Sequence, residues 1–599
     1  MTMNAAETAY RDGQAAARAV FEAESVRFAR LGIARLVVFL VGVGAAAVTV
    51  LSTNRSAGWG VVVAAVVFLA LLVWHELVAR RRDRAGRSMA YYDRGLARLE
   101  HRWTDGGDPG DRFRDEQHLY AADLELFGTG SLFHFISTAR TETGAATLAR
   151  WLLEPADRAT IAARQEATRE LTPLLPLRHD LAVVGAEVKG ALDSRALRAW
   201  LEGDGVGLPR WLGAAAATLA VVNVAATAAA LAGWVPGYVV LPGYTLSLAL
   251  TTAFRGRIAQ AIHDVDRPAR DLKLLAALVV RVSRESFRAP LLARLSDTLA
   301  GTTVAAVEIR RLERLVDLAD ARRNQLFAPV AALLLLGTQV AAGVERWRGR
   351  MGRTAAGWLD AIGELEALAS FAAQAFERPD DAFPEVGPPG APLVAEGMAH
   401  PLLPVGRAVA NDLALGEPCR LLVVSGSNMS GKSTLLKALG GNLVLAFAGA
   451  PVRARRLSVG QWALGASLVL RESLLEGRSR FYAEVLRLRD IVAVADQGRP
   501  VLFLLDELLS GTNSHDRAIG AKGILEGLVA KGAIGIVTTH DLALTEIART
   551  MGDRGDNRHL EDTLVNGELR FDYRLQPGVV RRSNALELMK AVGLEVPRT

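Results

Sequence analysis

The fold of the C-terminal part of this chain is decided by residues 420–439, which read RLLVVSGSNMSGKSTLLKAL. An apolar, strand-like run at 420–425 leads into the glycine-bounded loop Gly426–Ser433, and a helix-forming run follows the loop. Glycines let the backbone wrap closely around an anion, while backbone N–H groups and a helix N-terminus supply positive potential. The order of strand, G-x-x-x-x-G-K-S and helix predicts a phosphate-binding P-loop in a largely parallel α/β sheet.

The residue types in this loop suit the binding of MgATP. Lys432 is expected to reach the β- and γ-phosphates, and the Ser433 hydroxyl is expected to ligate Mg²⁺. ATP and Mg²⁺ are therefore the predicted cofactors. The predicted nucleotide-binding residues are Gly426, Ser427, Asn428, Met429, Ser430, Gly431, Lys432, Ser433 and Thr434.

An acidic pair further along the chain completes the predicted chemistry. Residues 501–505 read VLFLL, a continuous apolar run typical of a strand buried on both faces, and the run ends in Asp506 and Glu507. Asp506 is expected to hold Mg²⁺ together with Ser433, and Glu507 to orient or deprotonate the attacking water. An isolated acidic pair is most often a solvated strand end, but beside a P-loop we interpret it as catalytic.

A third strand-like run, AIGIVTT at 533–539, ends in His540. Ligands of open α/β sheets sit at the C-terminal ends of the strands, so His540 is predicted to hydrogen-bond the γ-phosphate or the water. The alternative is a satisfied core histidine. Lys432, Glu507 and His540 form the predicted catalytic set. By itself the Gly477-Arg478-Ser479 stretch is a weaker signal, because a Gly-x-Ser at a helix start either binds an anion or serves as a plain N-cap.

Composition indicates a multidomain protein with membrane segments. The chain has 599 residues, 50% hydrophobic residues and a mean hydropathy of +0.20, which is high for a soluble protein. The single cysteine, Cys419, excludes an internal disulfide framework and fits a reducing compartment. Residues 1–24 lack the apolar core of a secretory signal. The net charge of +6 fits nucleic acid, anionic lipid or an arginine-rich composition equally well.

Two pairs of apolar runs predict two membrane hairpins. The first pair, 36–51 and 57–74, has arginines before and after it, while the turn between its members carries only Arg55. This asymmetry is the positive-inside pattern of a hairpin with both ends in the cytosol. The second pair, 211–234 and 235–254, is weaker because its first member is rich in alanine and carries Asn223. The alternative for both pairs is buried core helices.

These motifs together resemble the MutS family of DNA mismatch repair ATPases. Residues 426–434 resemble its Walker A loop, 505–507 and 511–516 its Walker B and D-loop, and His540 the histidine of its Thr-His switch. Gly477-Arg478-Ser479, with Phe481 and Glu484, resembles its signature segment. The other similar segments are His400-Pro401 and Asn411-Asp412 at the start of the ATPase domain, 143–165 at the start of the helical core, and 365–372 at its end.

The resemblance covers about 123–208 and 257–549. It implies a homodimer in which Ser479 completes the nucleotide site of the partner. The sequence departs from the family pattern in two regions that contact DNA in the family. The first hairpin takes the place of the mismatch-reading domain, and the second interrupts the core helices near the DNA clamp of the family. A third departure is Ala408, which stands where the family has an aromatic residue that stacks on adenine. Mismatch reading is therefore not expected.

The predicted fold is multidomain, with helical membrane hairpins and a helical MutS-like core and lever, followed by an α/β P-loop ATPase domain of the ABC/MutS type. The expected location is the cell (inner) membrane, multi-pass, with the ATPase domain in the cytoplasm. The predicted units are an N-terminal cytosolic segment (1–32), hairpin one (33–80), the first part of the core (81–208), hairpin two (209–256), the second part of the core with the lever (257–378), a Pro/Gly linker (379–397) and the ATPase domain (398–599).

Three functions remain compatible with the sequence. The first is an ATP-driven DNA-binding protein at the membrane, for which Arg453, Arg455 and Arg456, together with a second cluster at 310–314, are candidate phosphate contacts. The second is a membrane switch or assembly protein with the same ATPase and no nucleic acid. A transporter ranks last, because four marginal segments make a thin translocation path.

Overall fold

The computed structural model describes residues 3–51, 57–187, 194–300, 303–321, 328–427, 429–468, 480–510, 512–565 and 568–580. Two long helices open the chain, α1 (Met3–Leu51) and α2 (Ala57–Leu99). They form one antiparallel hairpin, because Phe39 packs near Phe68 at one level and Tyr10 packs near Tyr91 at another. The half of the hairpin nearest the turn exposes its apolar side chains, with Leu51 87% and Trp59 74% exposed.

The second apolar region differs from a simple pair of helices. It contains α8 (Leu212–Leu231), a short 3-10 turn, and α9 (Leu241–Ala253), and a sharp bend then leads into α10 (Arg255–Val282). The 13 residues of α9 rise about 20 Å, which is less than the ~30 Å apolar core of a bilayer. Pro236 precedes the 3-10 turn Gly237–Val240, and Pro242 lies in the first turn of α9, where its missing N–H is tolerated but prevents regular helix from extending upstream.

Among the described residues, α1, α2 and α8 are long and apolar enough to cross a membrane, judged by length and composition alone. The stretch Gly237–Ala253 with Arg255–Val265, bent by 66°, counts as a fourth if the bent pair is one span. Asn223, the polar residue within α8, is 2% exposed and donates to the Ser247 hydroxyl of α9 at 2.9 Å. The polar group that weakens the sequence signal is thus bonded across the helix pair.

A helical body connects the hairpins to the C-terminal domain. Its helices are α3 (Leu132–Ile136), α4 (Glu142–Leu153), α5 (Arg158–Leu171), α6 (Leu175–Glu187), α7 (Ser194–Glu202), α10, α11 (Pro290–Ala300), α12 (Thr303–Ala321), α13 (Ala328–Leu333) and α14 (Leu336–Glu377). The 42-residue α14 is the central helix, and it buries Trp347, Trp358 and Phe371 to 1% exposure or less. At such burial each aromatic side chain contributes about 1.5–3 kcal/mol of hydrophobic stabilisation.

The C-terminal domain is an α/β structure with two sheets. Its strands are β1 (Glu385–Val386), β2 (Leu393–Met398), β3 (Asn411–Leu415), β4 (Leu421–Gly426), β5 (Arg456–Val459), β6 (Ala463–Ser467), β7 (Val501–Asp506), β8 (Ile534–Thr539), β9 (Gly555–Val565) and β10 (Glu568–Pro577). Its helices are α15 (Lys432–Ala448), α16 (Arg480–Asp496), α17 (Ser514–Ala530) and α18 (Thr545–Thr550).

The larger sheet has the order β10-β9-β4-β8-β7-β6. All neighbours pair in parallel except β9 and β10, which form an antiparallel edge. The central strands are buried along their length, as expected for strands covered on both faces. The smaller sheet has the order β1-β5-β2-β3. Its β1 lies within the Pro/Gly-rich stretch, so this stretch contributes a strand to the domain.

Candidate nucleotide-binding site

Three adjacent strands carry the candidate residues to one edge of the larger sheet. β4, β8 and β7 are neighbours and run in parallel, so their carboxyl ends meet. The P-loop follows β4, His540 follows β8, and Asp506 and Glu507 lie at the end of β7. This is the edge at which open α/β sheets bind ligands. The sequence predicted these strands, and the sheet order explains why residues more than a hundred positions apart in the chain come together.

The loop has the backbone conformation of a phosphate cradle. Gly431 has a φ of +98° immediately before α15 begins at Lys432, a conformation that favours glycine. A Cβ added at Gly431 would lie 2.9 Å from a ring carbon of Tyr573. Met429 also has a positive φ, +72°, and its side chain is 83% exposed. Asn428 lies outside the described residues.

Lys432 is buried and folds back over the loop. Its Nζ donates to the carbonyl oxygens of Gly426 at 3.0 Å and Ser427 at 2.8 Å. Burial lowers the pKa of Lys432 from its ordinary value, and the nearby carboxylates Glu507 and Asp506 oppose this effect. An anion close to the ammonium group restores the preference for the charged form. The site is therefore electrostatically suited to a phosphate.

Two hydroxyls of the loop are further donors. The Oγ atoms of Ser427 and Ser430 are buried, and neither has a hydrogen-bond partner within the described part of the chain. Buried polar groups are almost always hydrogen-bonded, so two orphaned hydroxyls beside Lys432 fit a loop that binds phosphate oxygens. Ser433 and Thr434, on the first turn of α15, are exposed toward solvent. A metal ligand at Ser433 is sterically accessible.

The acidic residues are held by β8. The Thr538 hydroxyl donates to Oδ1 of Asp506, and the backbone N–H of Glu507 donates to the Thr538 carbonyl at 3.1 Å. Glu507 has a φ of +49°, a left-handed conformation that costs about 1–3 kcal/mol for a residue other than glycine. Such strain is common where a side chain must be aimed at a ligand.

His540 lies against Glu507 rather than alone at the strand end. The His540 Nδ1 is 3.3 Å from Oε1 of Glu507, and both side chains are partly exposed. An imidazole that donates to this carboxylate orients it. The sequence placed His540 near the γ-phosphate or the water, whereas the observed contact links it to the predicted base.

Sequence reasoning missed a part of the site contributed by β10. Tyr573 has a φ of +54°, is 43% exposed, and stacks on Phe571 with ring centroids 5.8 Å apart. The side chain of Asn411 holds this bend, because it donates to the Tyr573 carbonyl at 3.0 Å and accepts from the Leu575 N–H at 2.7 Å. An aromatic ring thus flanks the P-loop, where a nucleobase can stack. Two aromatic residues at alternate positions, Phe571 and Tyr573, were the only signal in the sequence.

The Asn411 and His400 motifs have structural roles at this site. Asn411 makes the clamp described above. The pKa of His400 is lowered to about 4 by burial, so its ring is neutral near pH 7, and its Nδ1 accepts from the Leu402 N–H at 3.2 Å. The neighbouring Pro401 carbonyl accepts from Arg378 at the end of α14 at 2.5 Å. These motifs tie the helical body to the α/β domain.

The candidate phosphate-contacting arginines separate into two kinds. Arg453 makes an ion pair with Asp381 at 2.6 Å, and both side chains are largely buried. Its charge is therefore neutralised inside the protein. Arg455 and Arg456 are 74% and 57% exposed, and each has only a long contact with a surface carboxylate. Of these three, Arg455 and Arg456 remain available to an external phosphate. The arginines of the second candidate cluster, Arg310, Arg311 and Arg314, are also exposed, and Arg311 lies 3.6 Å from Glu308. Ser479 and the rest of the Gly477-Arg478-Ser479 stretch lie outside the described residues, so its predicted action in trans stays a prediction.

Comparison with known proteins gives a consistent result. The profile of MutS domain V matches residues 422–598. Endonuclease MutS2 of Thermus thermophilus is 36% identical over 204 residues, which cover 33% of this chain and 25% of the relative. Endonuclease MutS2 of Pelotomaculum thermopropionicum is 33% identical over 267 residues, covering 43% and 31%.

DNA mismatch repair protein MutS 2 of Halobacterium salinarum is 32% identical over 245 residues, covering 40% of this chain and 27% of the relative. The chain therefore spans only about a quarter to a third of the length of these relatives. The profile match covers the part of the chain that carries the P-loop, the acidic strand end and His540. Over residues 422–598 the chain is thus similar to MutS domain V, and the relatives named above are MutS2 proteins that it matches over part of their length.

Proposed function

We propose that this protein is a membrane-anchored ATPase that binds and hydrolyses MgATP and uses the cycle to change conformation. The observation that carries the proposal is the meeting of Lys432, Asp506 and the Glu507–His540 pair at the carboxyl ends of three adjacent strands. Phosphoryl transfer depends mainly on positioning and charge stabilisation, and these residue types supply both.

In the proposed reaction a water molecule attacks the γ-phosphorus, and the bond to the β-phosphate oxygen breaks. Lys432 and the loop N–H groups neutralise the phosphate oxygens, and Glu507, oriented by His540, accepts the proton of the water. Ser433 and Asp506 would hold Mg²⁺, which adds charge neutralisation at the phosphates. Tyr573 offers a stacking surface for the base in place of the aromatic residue absent at Ala408.

The proposed active form is a homodimer. The resemblance to MutS assigns the signature serine, Ser479, to the nucleotide site of the partner, so each site is complete only across the interface. ATP binding would then close the dimer and hydrolysis would open it. Movement of the α/β domain reaches the helical body through α14, whose end contacts the domain at Arg378.

The proposed anchor is the hairpin of α1 and α2, with the second apolar region as an addition. Exposed side chains such as Leu40, Val66 and Trp74 are each more than half exposed and form a continuous apolar surface. Large exposed apolar patches are costly in water, so a lipid environment fits this surface better. The arginines on the far side of the apolar runs favour a cytoplasmic ATPase domain in the cell (inner) membrane.

DNA is the proposed partner, without mismatch specificity. The relatives are named as an endonuclease and a mismatch repair protein, and Arg455 and Arg456 are exposed beside the smaller sheet. The endonuclease activity in those names is not proposed for this chain, because the match covers so little of each relative. The alternative function is an ATP-dependent membrane switch or assembly protein that binds no nucleic acid.

The ATPase assignment is tested with Lys432→Ala and Glu507→Gln in the detergent-solubilised full chain. Lys432→Ala is expected to abolish hydrolysis, and Glu507→Gln to retain ATP binding while trapping the closed dimer. Lys522 and Glu526, a solvent-exposed pair on α17, provide matched controls, since Lys522→Ala and Glu526→Gln remove the same groups away from the site. Near-normal turnover of Lys432→Ala would contradict the ATPase assignment. A Glu507→Gln protein that stays monomeric in saturating MgATP would contradict a nucleotide site shared between two protomers.

Membrane topology and DNA binding require separate measurements. In a Cys419→Ser background, cysteines placed at Asn54 and Pro236 are expected to react with an impermeant reagent in intact cells, while one placed at Lys522 reacts only after lysis. DNA binding is measured with and without ATP across a salt series, on matched and mismatched duplexes. Steep salt dependence with no mismatch preference supports the DNA proposal. Absence of binding at low salt in both nucleotide states selects the membrane switch.

A further inference from the structure

A polar cavity of about 530 Å³ lies at the end of the α1–α2 hairpin farthest from its turn. It is bounded by α1, α2, the segment 100–107 and the region around α3. Arg94 in this cavity is twenty residues beyond Trp74, the end of the apolar run, which places it about 30 Å farther along α2. This distance exceeds the thickness of a lipid headgroup layer, so the cavity faces aqueous solutes. Its volume is in the range of small-molecule sites, about 300–1,000 Å³.

The cavity contains hydrogen-bond donors that lack acceptors. Arg94 and Arg140 line it, and neither guanidinium group makes an ion pair or a side-chain hydrogen bond to any residue that the structure describes. The Oγ of Ser137, also in the lining, is buried and has no partner among those residues. The pKa of Arg94 is lowered by burial and by the neighbouring charge of Arg98. These are the properties of cationic donors without a counter-ion.

The acidic residues of the lining do not neutralise these donors. Asp93 accepts a hydrogen bond from Gln14, while Glu100 and Asp105 both pair with Arg102. Each carboxylate therefore already has a donor partner within the protein. The donors that still lack a partner can therefore bind a hydrogen-bond acceptor that comes from outside the protein.

We propose that this cavity binds a phosphate group carried by a soluble molecule, at a site separate from the P-loop. Arg94 and Arg140 contact the phosphate oxygens, since guanidinium groups match phosphate geometry and make strong charge-assisted hydrogen bonds. Ser137 supplies a third donor. Trp103, which lines the same cavity, gives a flat surface for an organic group attached to the phosphate. Arg98 also lines the cavity and bonds Glu377 at the end of α14, so the ligand lies beside the junction of hairpin and helical body.

The test is equilibrium dialysis of radiolabelled pyrophosphate against the full chain in detergent, in a Lys432→Ala background that weakens binding at the P-loop. Saturable binding is expected, weakened about tenfold or more by either Arg94→Gln or Arg140→Gln, because each loses a charge-assisted hydrogen bond. Ser137→Ala is expected to weaken binding several-fold with an unchanged unfolding midpoint, since this hydroxyl makes no hydrogen bond within the described chain. Arg18→Gln, on the exposed surface of α1, is the matched control and is expected to bind as the parent does.

Competition identifies the source of the phosphate. If AMP and ADP displace the label better than orthophosphate does, and Trp103→Ala removes the difference, the ligand is a nucleotide. Equal displacement by all three indicates free phosphate. The proposal is overturned if the parent shows no saturable binding, or if neither arginine variant nor Ser137→Ala changes it. Because binding is measured without ATP hydrolysis, failure here leaves the ATPase assignment untouched, and the reverse also holds.

Discussion

The buried ion pair between Arg98 and Glu377 is expected to hold the N-terminal hairpin against the helical body. Three hydrogen bonds join the side chains, from Arg98 Nη2 to Oε1 at 2.5 Å and from Nε to Oε2 at 2.9 Å and to Oε1 at 3.1 Å. The Tyr10 hydroxyl adds a fourth to Oε1 at 2.9 Å. Side-chain exposures of 10% for Arg98 and 3% for Glu377 leave little water to replace a lost partner.

Removal of one partner leaves a buried, uncompensated charge. For Arg98→Met or Glu377→Met we expect a loss of about 3–5 kcal/mol in the free energy that docks the hairpin. The double substitution Arg98→Met with Glu377→Met removes both charges and is expected to cost far less than either single change, because apolar residues of similar volume replace the pair. Tyr10→Phe is expected to cost about 1.5–3 kcal/mol, the worth of a hydrogen bond to a charged acceptor.

Amide hydrogen exchange of residues 5–14, followed by mass spectrometry, measures this local opening directly. At about 1.4 kcal/mol for each factor of ten, the single variants should exchange about two to three and a half orders of magnitude faster than the parent, in the regime where opening is in equilibrium. Glu7→Gln is the control, since its partner Arg11 is 61% exposed and such surface pairs contribute about 0–1 kcal/mol. Additive effects in the double variant, or unchanged exchange in the single ones, would refute the reasoning.

Burial raises the pKa of Glu366 to about 7, so the folded state binds more protons than the unfolded state between about pH 4.5 and 7. Its contribution to stability should fall by about 3 kcal/mol over that window, and Glu366→Gln should flatten the pH dependence of the unfolding midpoint. Gly431→Ala should weaken ATP binding at least tenfold, measured by nucleotide titration, because a Cβ there strains the loop and meets Tyr573; unchanged affinity would contradict the loop geometry. In DNA binding, Arg455→Gln should reduce the slope of log K against log salt concentration by about one. Arg453→Gln should instead lower the free energy of unfolding and leave this slope unchanged. Equal slopes for the two variants would contradict the assignment of Arg455, and not Arg453, to a phosphate contact.

The secondary structure around the P-loop could be predicted closely from the sequence. The run 420–425 was expected as a strand and β4 spans Leu421–Gly426, while the runs 501–505 and 533–539 correspond to β7 and β8. These signals are local, because a buried parallel strand is continuously apolar and a P-loop fixes its glycines at set spacings. The second apolar region was less predictable, since composition indicated two spans and the Pro/Gly-rich stretch 236–243 shortened the second helix.

The sequence by itself determined the candidate residues of the nucleotide site. It placed Lys432 in a loop after a strand and Asp506, Glu507 and His540 at strand ends, because the residue types and their local context carry that information. Only the tertiary structure decided which residues meet across the chain. The Tyr573 ring beside Gly431, the burial of Arg453 against Asp381, and the contact of Arg98 with Glu377 join positions far apart in sequence. Such contacts depend on how strands and helices pack in three dimensions, and no local periodicity or spacing records them.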